Sequence, residues 1–170
     1  MDTILVAVII LVLIIMSTLT IIISVLQSAN HLSDAWKNME AQSVSISETK
    51  IDIAVNGSYT GGLIDVAVQN EGRTNLYDYP KWDTIIQYQA GNASHLSYSE
   101  TYPPESGEWA VEGIYMNDGS PEVFDHDILN PDETMIAAIN PSTEPGIGDT
   151  VRIVVSTPNG VTAQCFVTRE

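Results

Sequence analysis

The sequence predicts an α+β fold in which a long N-terminal hydrophobic α-helix precedes an antiparallel β-sandwich or barrel. From Thr3 to Leu26 there is no charged residue, and neither Gly nor Pro occurs in the first 56 residues. Beyond Lys50 the hydrophobic period changes from near 3.6 to near 2, as expected of half-buried strands. We therefore assign residues 1–48 to the hydrophobic helix and residues 49–170 to a β-sandwich outer domain.

The opening segment fits a cleavable secretory signal poorly, because nothing basic precedes Lys37 and the apolar run is too long. It exceeds the ~20 residues that cross a bilayer. One explanation of the missing basic flank is a short basic leader encoded upstream of Met1, and a start codon at Met1 would count against it. After Ala29 apolar residues continue at spacings of three and four, which predicts one helix to about residue 45, roughly 65 Å long.

A helix that is hydrophobic on every face must be surrounded by lipid or by other helices. We therefore predict a helix that lies in a membrane before assembly and packs with copies of itself in a filament core afterwards. The residues predicted to pack there are Ile4, Val6, Ile9, Ile10, Leu13, Ile14, Leu19, Ile22, Ile23 and Leu26.

Short runs rich in Val, Ile and Tyr predict seven or eight strands. The runs are KIDIAVNGSY, GLIDVAVQNEG, DTIIQYQA, EWAVEGIYM, ETMIAAIN, TVRIVVST and VTAQCFVTR. Asn-Gly pairs at 56–57 and 159–160 predict hairpin turns, and SYSETYPPESGEW is predicted to be a loop. The single cysteine, Cys165, is predicted to be a small buried apolar residue. Trp82 is predicted to be an aromatic residue of the core or of a corner of the sandwich. The alternative is that it contacts another subunit.

The composition excludes several function classes. A formal charge of −16, from 22 acidic and 6 basic residues, argues against a nucleic-acid partner. The three histidines, His31, His95 and His126, fall in the helix, a loop and an acidic loop, without a catalytic or zinc-binding spacing. We therefore expect no enzyme activity, no catalytic residue and no cofactor.

Two kinds of modification or ligand site remain candidates. Asp118, Asp125 and Asp127 lie in an acidic stretch whose oxygens suit a hard cation, although the spacing matches no known calcium loop and a solvated loop is the simpler interpretation. Asn56 and Asn92 meet the N-x-[ST] rule for N-glycosylation, and Asn56 also precedes a glycine in a turn signal.

Several stretches occur in an order that resembles a known family: VAVQNEGRTNLYDYPKWDTIIQY, EWAVEGIY, ILNPDETMIAAI and GDTVRIVVSTPNGVTA. They resemble archaellins, the filament subunits of the archaeal flagellum, and related archaeal type IV pilin-like subunits. The positions that carry the resemblance are Asn70, Gly72, Trp82, Asp83, Tyr88, Leu129, Asn130, Pro131, Glu133, Pro158, Asn159, Gly160 and Val161.

The resemblance implies an immunoglobulin-like β-sandwich on the outside of an extracellular helical homopolymer that serves swimming motility. It also implies processing by a prepilin-type signal peptidase and assembly and rotation by a cytoplasmic motor. Alternatives are a membrane-anchored stator-like accessory subunit of the archaellum or an adhesive pilin with a β-sandwich binding head. A membrane-tethered binding module with a discrete ligand pocket is a third class.

Overall fold

The computed structural model describes residues 2–60, 62–89 and 91–169, apart from the side chains of residues 2, 54–58 and 60. The chain divides into two compact units between Ser43 and Val44. Helix α1 spans Asp2–Glu48, so its last turn belongs to the second unit, together with all the strands. The predicted long N-terminal helix is confirmed. We call the second unit the β-domain.

The described residues of the β-domain form eight strands and one short 3-10 helix at Tyr79–Lys81. The strands are β1 (Ile51–Thr60), β2 (Leu63–Asn70), β3 (Asp83–Tyr88), β4 (Ala93–Tyr98), β5 (Glu108–Tyr115), β6 (Thr134–Asn140), β7 (Thr150–Ser156) and β8 (Thr162–Thr168). Their hydrogen-bonded order is β1-β2-β6-β5-β4-β3-β7-β8.

All neighbouring strands pair antiparallel except β4 and β5, which meet in parallel over two residue pairs, Ser97 with Glu108 and Tyr98 with Trp109. Strands β1 and β8, at the two ends of the order, also lie against each other. The sheet therefore curls into a sandwich that is almost a closed barrel. The predicted antiparallel architecture is confirmed, with the short parallel contact as the exception.

The strand pattern places one set of side chains inside this sandwich. Along β2 and β7 every second residue is buried, as in the series Val151, Ile153 and Val155. Trp109 is fully buried, and the centre of its ring lies 5.0 Å from that of Tyr98 in an edge-on arrangement. Cys165 is buried as predicted, and its burial raises the pKa of the thiol to about 11.

Two sequence predictions about the β-domain are wrong. His95 lies in β4 rather than in a loop, and its Nε2 is 3.1 Å from Oδ1 of Asp83 on β3. Residues 56–57 do not form a hairpin turn, because their backbone continues β1 at the point where its register with β2 shifts. An irregularity of this kind uses the same turn-favouring residues within a strand. Gly62, directly before β2, has a φ of 94° instead.

The second predicted Asn-Gly turn is confirmed between β7 and β8. Gly160 adopts a φ of 86°, which a residue with a side chain rarely takes. Thr157 N–H donates to the Val161 carbonyl at 2.9 Å, and Gly160 N–H donates to the Thr157 carbonyl at 2.9 Å. These bonds close the turn and bring Asn159 to the end of the β-domain at which α1 finishes.

Candidate assembly surface and its anchor

The N-terminal part of α1 presents apolar side chains in every direction. All ten residues predicted to pack in a filament core are exposed, from 47% for Ile23 to 71% for Ile4. The same region also exposes aliphatic side chains that the sequence prediction left out, namely Leu5, Val8, Leu11, Val12, Ile15, Ile21 and Val25. The absence of a polar face in the sequence could have identified them. Helix α1 is long enough and apolar enough to cross a membrane.

The few polar side chains in this part of α1 bond to their own helix. Thr18 donates to the Ile14 carbonyl at 2.5 Å, Thr20 to the Met16 carbonyl at 2.8 Å and Ser24 to the Thr20 carbonyl at 2.9 Å. A hydroxyl that is satisfied within its own helix costs little to move into lipid or into a bundle. The surface is therefore apolar in effect as well as in composition.

A second feature anchors the last turn of α1 within the β-domain. Asn159 Nδ2 donates to Thr49 Oγ1 at 2.8 Å and to Ser45 Oγ at 3.2 Å. Thr49 Oγ1 also lies 2.9 Å from Thr74 Oγ1. We call Ser45, Thr49, Asn70, Thr74 and Asn159 the junction network. It joins the end of the helix to the connection after β2 and to the β7–β8 turn.

Asn70 is the most buried member of the junction network. Its side chain is fully enclosed and donates to the carbonyls of Thr74 at 2.8 Å and Leu129 at 3.0 Å. Its Oδ1 accepts from Gly72 N–H at 3.0 Å. One amide thus holds the β2–β3 connection and the segment before β6 together, and buried polar groups satisfied in this way are stabilising.

Gly72 allows the β2–β3 connection to pass close to the helix terminus. A Cβ at this position would come within 2.6 Å of the backbone of Glu48 and Lys50. On either side of it, Glu71 N–H donates to the Lys50 carbonyl at 2.9 Å and Arg73 N–H to the Glu48 carbonyl at 2.8 Å. A side chain would push these two backbone segments apart.

The segment before β6 is closed by a similar local network. Glu133 is buried, and its carboxylate accepts from Asn130 N–H at 2.7 Å and from Asn130 Nδ2 at 3.3 Å. Leu129, fully buried, forms an isolated bridge with Leu76. Pro131 lies exposed at the outside of this turn.

Most of the motif positions noted in the sequence therefore meet at one end of the β-domain, which we call the junction end. The Asn-x-Gly turn and the Pro158–Gly160 turn both bond to the residues at the helix terminus, and the L-N-P-x-E turn bonds to the Asn-x-Gly turn through Leu129 and Asn70. Sequence reasoning missed Ser45, Thr49 and Thr74, because single hydroxyl residues carry no signal of a partner that is 25 to 114 positions away.

The remaining motif positions lie along β3. Trp82 is buried as predicted, and its Nε1 donates to the Tyr77 carbonyl at 3.1 Å. Asp83 is exposed and faces His95. Tyr88, at the far end of β3, donates its hydroxyl to the Thr143 carbonyl at 2.7 Å. These residues fix the two ends of β3.

The three acidic candidates for a cation site are spread along the loop between β5 and β6. Asp118 Oδ1 accepts from Ser120 N–H at 2.9 Å, while Asp125 and Asp127 lie exposed further along the loop. No group of three metal-ligating side chains occurs in residues 2–60, 62–89 and 91–169. Asn92 is exposed in the β3–β4 connection, whereas the Asn56 side chain lies outside the described residues.

No protein-family model and no curated protein sequence matches the chain. Several solved structures, however, are similar to it. The archaellum periplasmic stator protein FlaG from Sulfolobus acidocaldarius matches with a TM-score of 0.52 and 18% identity, over 70% of this chain and 99% of that one. Archaeal flagellin FlaB1 from Methanocaldococcus jannaschii gives 0.52 and 12%, over 71% and 90%.

The archaeal flagellum of Methanospirillum hungatei matches with a TM-score of 0.50 and 14% identity, over 92% of this chain and 90% of that one. The β-domain makes up about three quarters of the chain, so this match includes residues of α1. The chain therefore has an archaellin-like fold, as the order of its motifs predicts.

Proposed function

We propose that this chain is a structural subunit of an archaellum-type extracellular helical filament, and that it polymerises through α1. The observation that carries the proposal is the surface of α1 between Ile4 and Leu26, which is apolar on every face and exposed throughout. Such a surface is stable only in lipid or among other helices. The match to the Methanospirillum hungatei flagellum, which extends into α1, favours the second environment as the final one.

In this proposal lipid surrounds α1 first, and other copies of the helix surround it after assembly. In the membrane, lipid already shields the aliphatic side chains, so moving the helix into a bundle changes its hydrophobic free energy little. Packing between stiff β-branched side chains and contacts outside the bundle then drive assembly. Once outside the cell, a released helix would expose each side chain to water at a cost of about 1.5–3 kcal/mol. Assembly is therefore effectively one-way.

The wider role follows from the resemblance. We propose a subunit of a cell-surface filament that serves swimming, is inserted in the cytoplasmic membrane before assembly, and is processed by a prepilin-type signal peptidase. A cytoplasmic motor would assemble and rotate the filament. The subunit itself would be non-enzymatic and without a cofactor, since its proposed work is mechanical.

The test replaces one packing side chain. Leu13→Asp buries a carboxylate among apolar neighbours, and we expect it to abolish filaments while the β-domain stays folded. Leu13→Met is the matched control, because it conserves volume and apolarity and should leave filaments intact. Filaments are examined by negative-stain microscopy of sheared surface material, with mass spectrometry of the main band. Normal filaments from the Asp variant would refute a core role for α1.

A second candidate is an archaellum stator-like accessory subunit that stays anchored by α1. The likeness to FlaG over 99% of that chain favours it. This role predicts a chain that remains monomeric or dimeric in detergent and is missing from the main band of sheared filaments. Light scattering of the purified full chain, together with that band's mass spectrum, separates the two candidates.

A further inference from the structure

The connection between β5 and β6 carries an exposed apolar tip. Val123 is 70% exposed and Phe124 is 85% exposed, in a β-domain whose other large apolar side chains are mostly buried. The tip has a defined shape, because Glu122 Oε1 accepts from the backbone N–H of Val123 at 3.0 Å, of Phe124 at 2.7 Å and of Asp125 at 3.3 Å. These bonds hold the pKa of Glu122 below its usual value and keep it anionic.

Acidic residues surround this tip. Glu122 lies on one side of Phe124, and Asp125 and Asp127 lie on the other. We call residues 122–127 the docking tip. Since the docking tip joins β5 to β6 beside Leu129, it lies at the junction end of the β-domain.

A shallow cleft lies at the opposite end of the β-domain, where β3 finishes, β7 begins and β8 finishes. Its volume is about 280 Å³, and its lining includes Tyr88, Thr150, Arg152 and Phe166. Phe166 on β8 pairs directly with Arg152 on β7 and is 61% exposed. The cleft thus combines an aromatic face with a guanidinium group.

Arg152 differs from the other cations of the β-domain. Among the described residues, Lys50 pairs with Glu71, Lys81 with Asp78, and Arg169 with Glu144. The guanidinium of Arg152 instead bonds to the amide of Gln164, and its Nε is buried with no hydrogen-bond partner among the residues that the structure describes. Arg73 also has no carboxylate within 4.0 Å in the described part of the chain, but it lies at the junction end.

We propose that the docking tip of one copy inserts Phe124 into the Arg152–Phe166 cleft of a second copy. Phe124 would stack against Phe166, and the flanking carboxylates would pair with Arg152. A chain with a formal charge of −16 repels its own copies, so contacts between copies are expected to form where one of its few cations faces acids. Arg152 and the docking tip provide such a match.

The contact is head-to-tail because the docking tip and the cleft lie at opposite ends of the β-domain. Each copy would offer one surface of each kind, so contacts of this type propagate along an array and need not close into a dimer. The inference rests on the proposed filament function for its setting, but the pairing of tip and cleft can be tested on its own.

The test uses cysteine cross-linking of the full chain in membranes and in sheared filaments. Val123→Cys, beside Phe124, and Gln87→Cys, in the lining of the cleft, are placed in one chain, so that both aromatic rings are kept, and oxidised with copper phenanthroline. A head-to-tail contact predicts a ladder of oligomers from the double variant. The two single variants mixed together should give dimers only. The native Cys165 is buried, and each single variant analysed alone controls for its reaction.

Charge reversal supplies the second readout. Arg152→Glu alone and Asp125→Arg alone should each lower the yield of double-cysteine cross-linking by about tenfold, corresponding to ~1.4 kcal/mol. The two together should restore most of it. Arg73→Glu is the matched control, since it reverses a cation outside the cleft and should change the yield little.

Each outcome decides a different question. Filaments without a ladder would overturn the tip–cleft contact and leave the filament function intact. A ladder in membranes from a chain that never forms filaments would support the contact and overturn the filament function. A ladder that persists unchanged in both charge-reversal variants would overturn the assignment of Arg152. Cross-links to another protein in place of the ladder would overturn a second copy as the occupant.

Discussion

At the scale of single residues, Asn70 shows how one side chain can hold two chain segments. It is fully buried, and its amide group bonds with Gly72, Thr74 and Leu129. The backbone of Asn70 makes a further bond to the same region, because Asp132 N–H donates to the Asn70 carbonyl at 2.8 Å. The residue therefore couples the β2–β3 connection to the L-N-P-x-E turn from both main chain and side chain.

We expect Asn70→Ala to destabilise the β-domain by about 2–4 kcal/mol, because the Thr74 carbonyl and the Gly72 N–H lose their bond to Asn70 and the Leu129 carbonyl keeps only its bond from Leu76 N–H. Unfolding of the full chain in detergent by urea, followed by tryptophan fluorescence, measures the change. Asn92→Ala is the matched control, since Asn92 is exposed, and its effect should stay within about 0.5 kcal/mol. Equal effects of the two substitutions would contradict the role given to Asn70.

Cys165 gives a prediction about pH. Its pKa is raised from 9.0 to about 11 by burial, so the folded state keeps the proton over a range where the unfolded state loses it. Below pH 9 both states are protonated and the contribution is fully present. As the pH rises from 9 to 11, this contribution is lost, at about 3 kcal/mol in total.

The measurement compares the wild type with Cys165→Ala. Burial raises the pKa of tyrosines such as Tyr79, so unfolding releases their protons in the same pH range, but this affects both proteins equally. The difference between the two free energies of unfolding should therefore shrink from pH 9 to pH 11. A difference that stays constant over that range would show that the thiol is not shielded.

At the scale of elements, the sequence predicts the strands with a strong hydrophobic period and misses the one without it. Strands such as β7, in which Val151, Ile153 and Val155 are buried, are predicted by their alternating pattern. Strand β4 reads ASHLSY and buries only Leu96. Its extended form depends on pairing with β3 and β5, which no local pattern reveals.

The candidate site divides in the same way. The apolar surface of α1 is visible in the sequence, because it needs only composition and length. The junction network is visible in part, since Asn70 and Asn159 belong to recognisable turns, but Ser45 and Thr49 do not. Asn159 and Thr49 are 110 positions apart, and their contact is set by the fold alone. The pairing of the docking tip with the Arg152 cleft likewise needs the ends of the strands to be known.

The hydroxyls of α1 give a prediction at this scale. Thr20 bonds to the Met16 carbonyl of its own helix, so it is not needed as a polar link between helices. Thr20→Val keeps the shape and removes the hydroxyl, and we expect filament yield and thermal stability to change little. The same measurements on Leu13→Asp provide the contrasting loss. A clear fall in filament yield for Thr20→Val would show that this hydroxyl bonds across helices in the bundle.

At the scale of the whole molecule, the apolar helix and the acidic surface act against each other. In the proposed filament the helix favours close packing of many copies, whereas a formal charge of −16 per copy makes them repel. This repulsion falls off over the Debye length, which is ~30 Å at 0.01 M salt and ~8 Å at 0.15 M. Salt also screens single ion pairs such as the proposed contact of Arg152. The chain has few such pairs, so we expect screening to weaken the net repulsion more than the attraction.

Assembly should therefore be favoured by salt. We expect the fraction of full-length chain recovered in sedimentable filaments to rise between about 0.01 M and about 0.15 M KCl, because screening over this range shortens the repulsion. Replacing two exposed acids, Glu100→Gln with Glu105→Gln, lowers the charge from −16 to −14 and should make the dependence on salt shallower. A neutral osmolyte at matched osmolality controls for exclusion effects. Filaments that dissociate as KCl rises over this range would show that attraction between unlike charges outweighs the net repulsion.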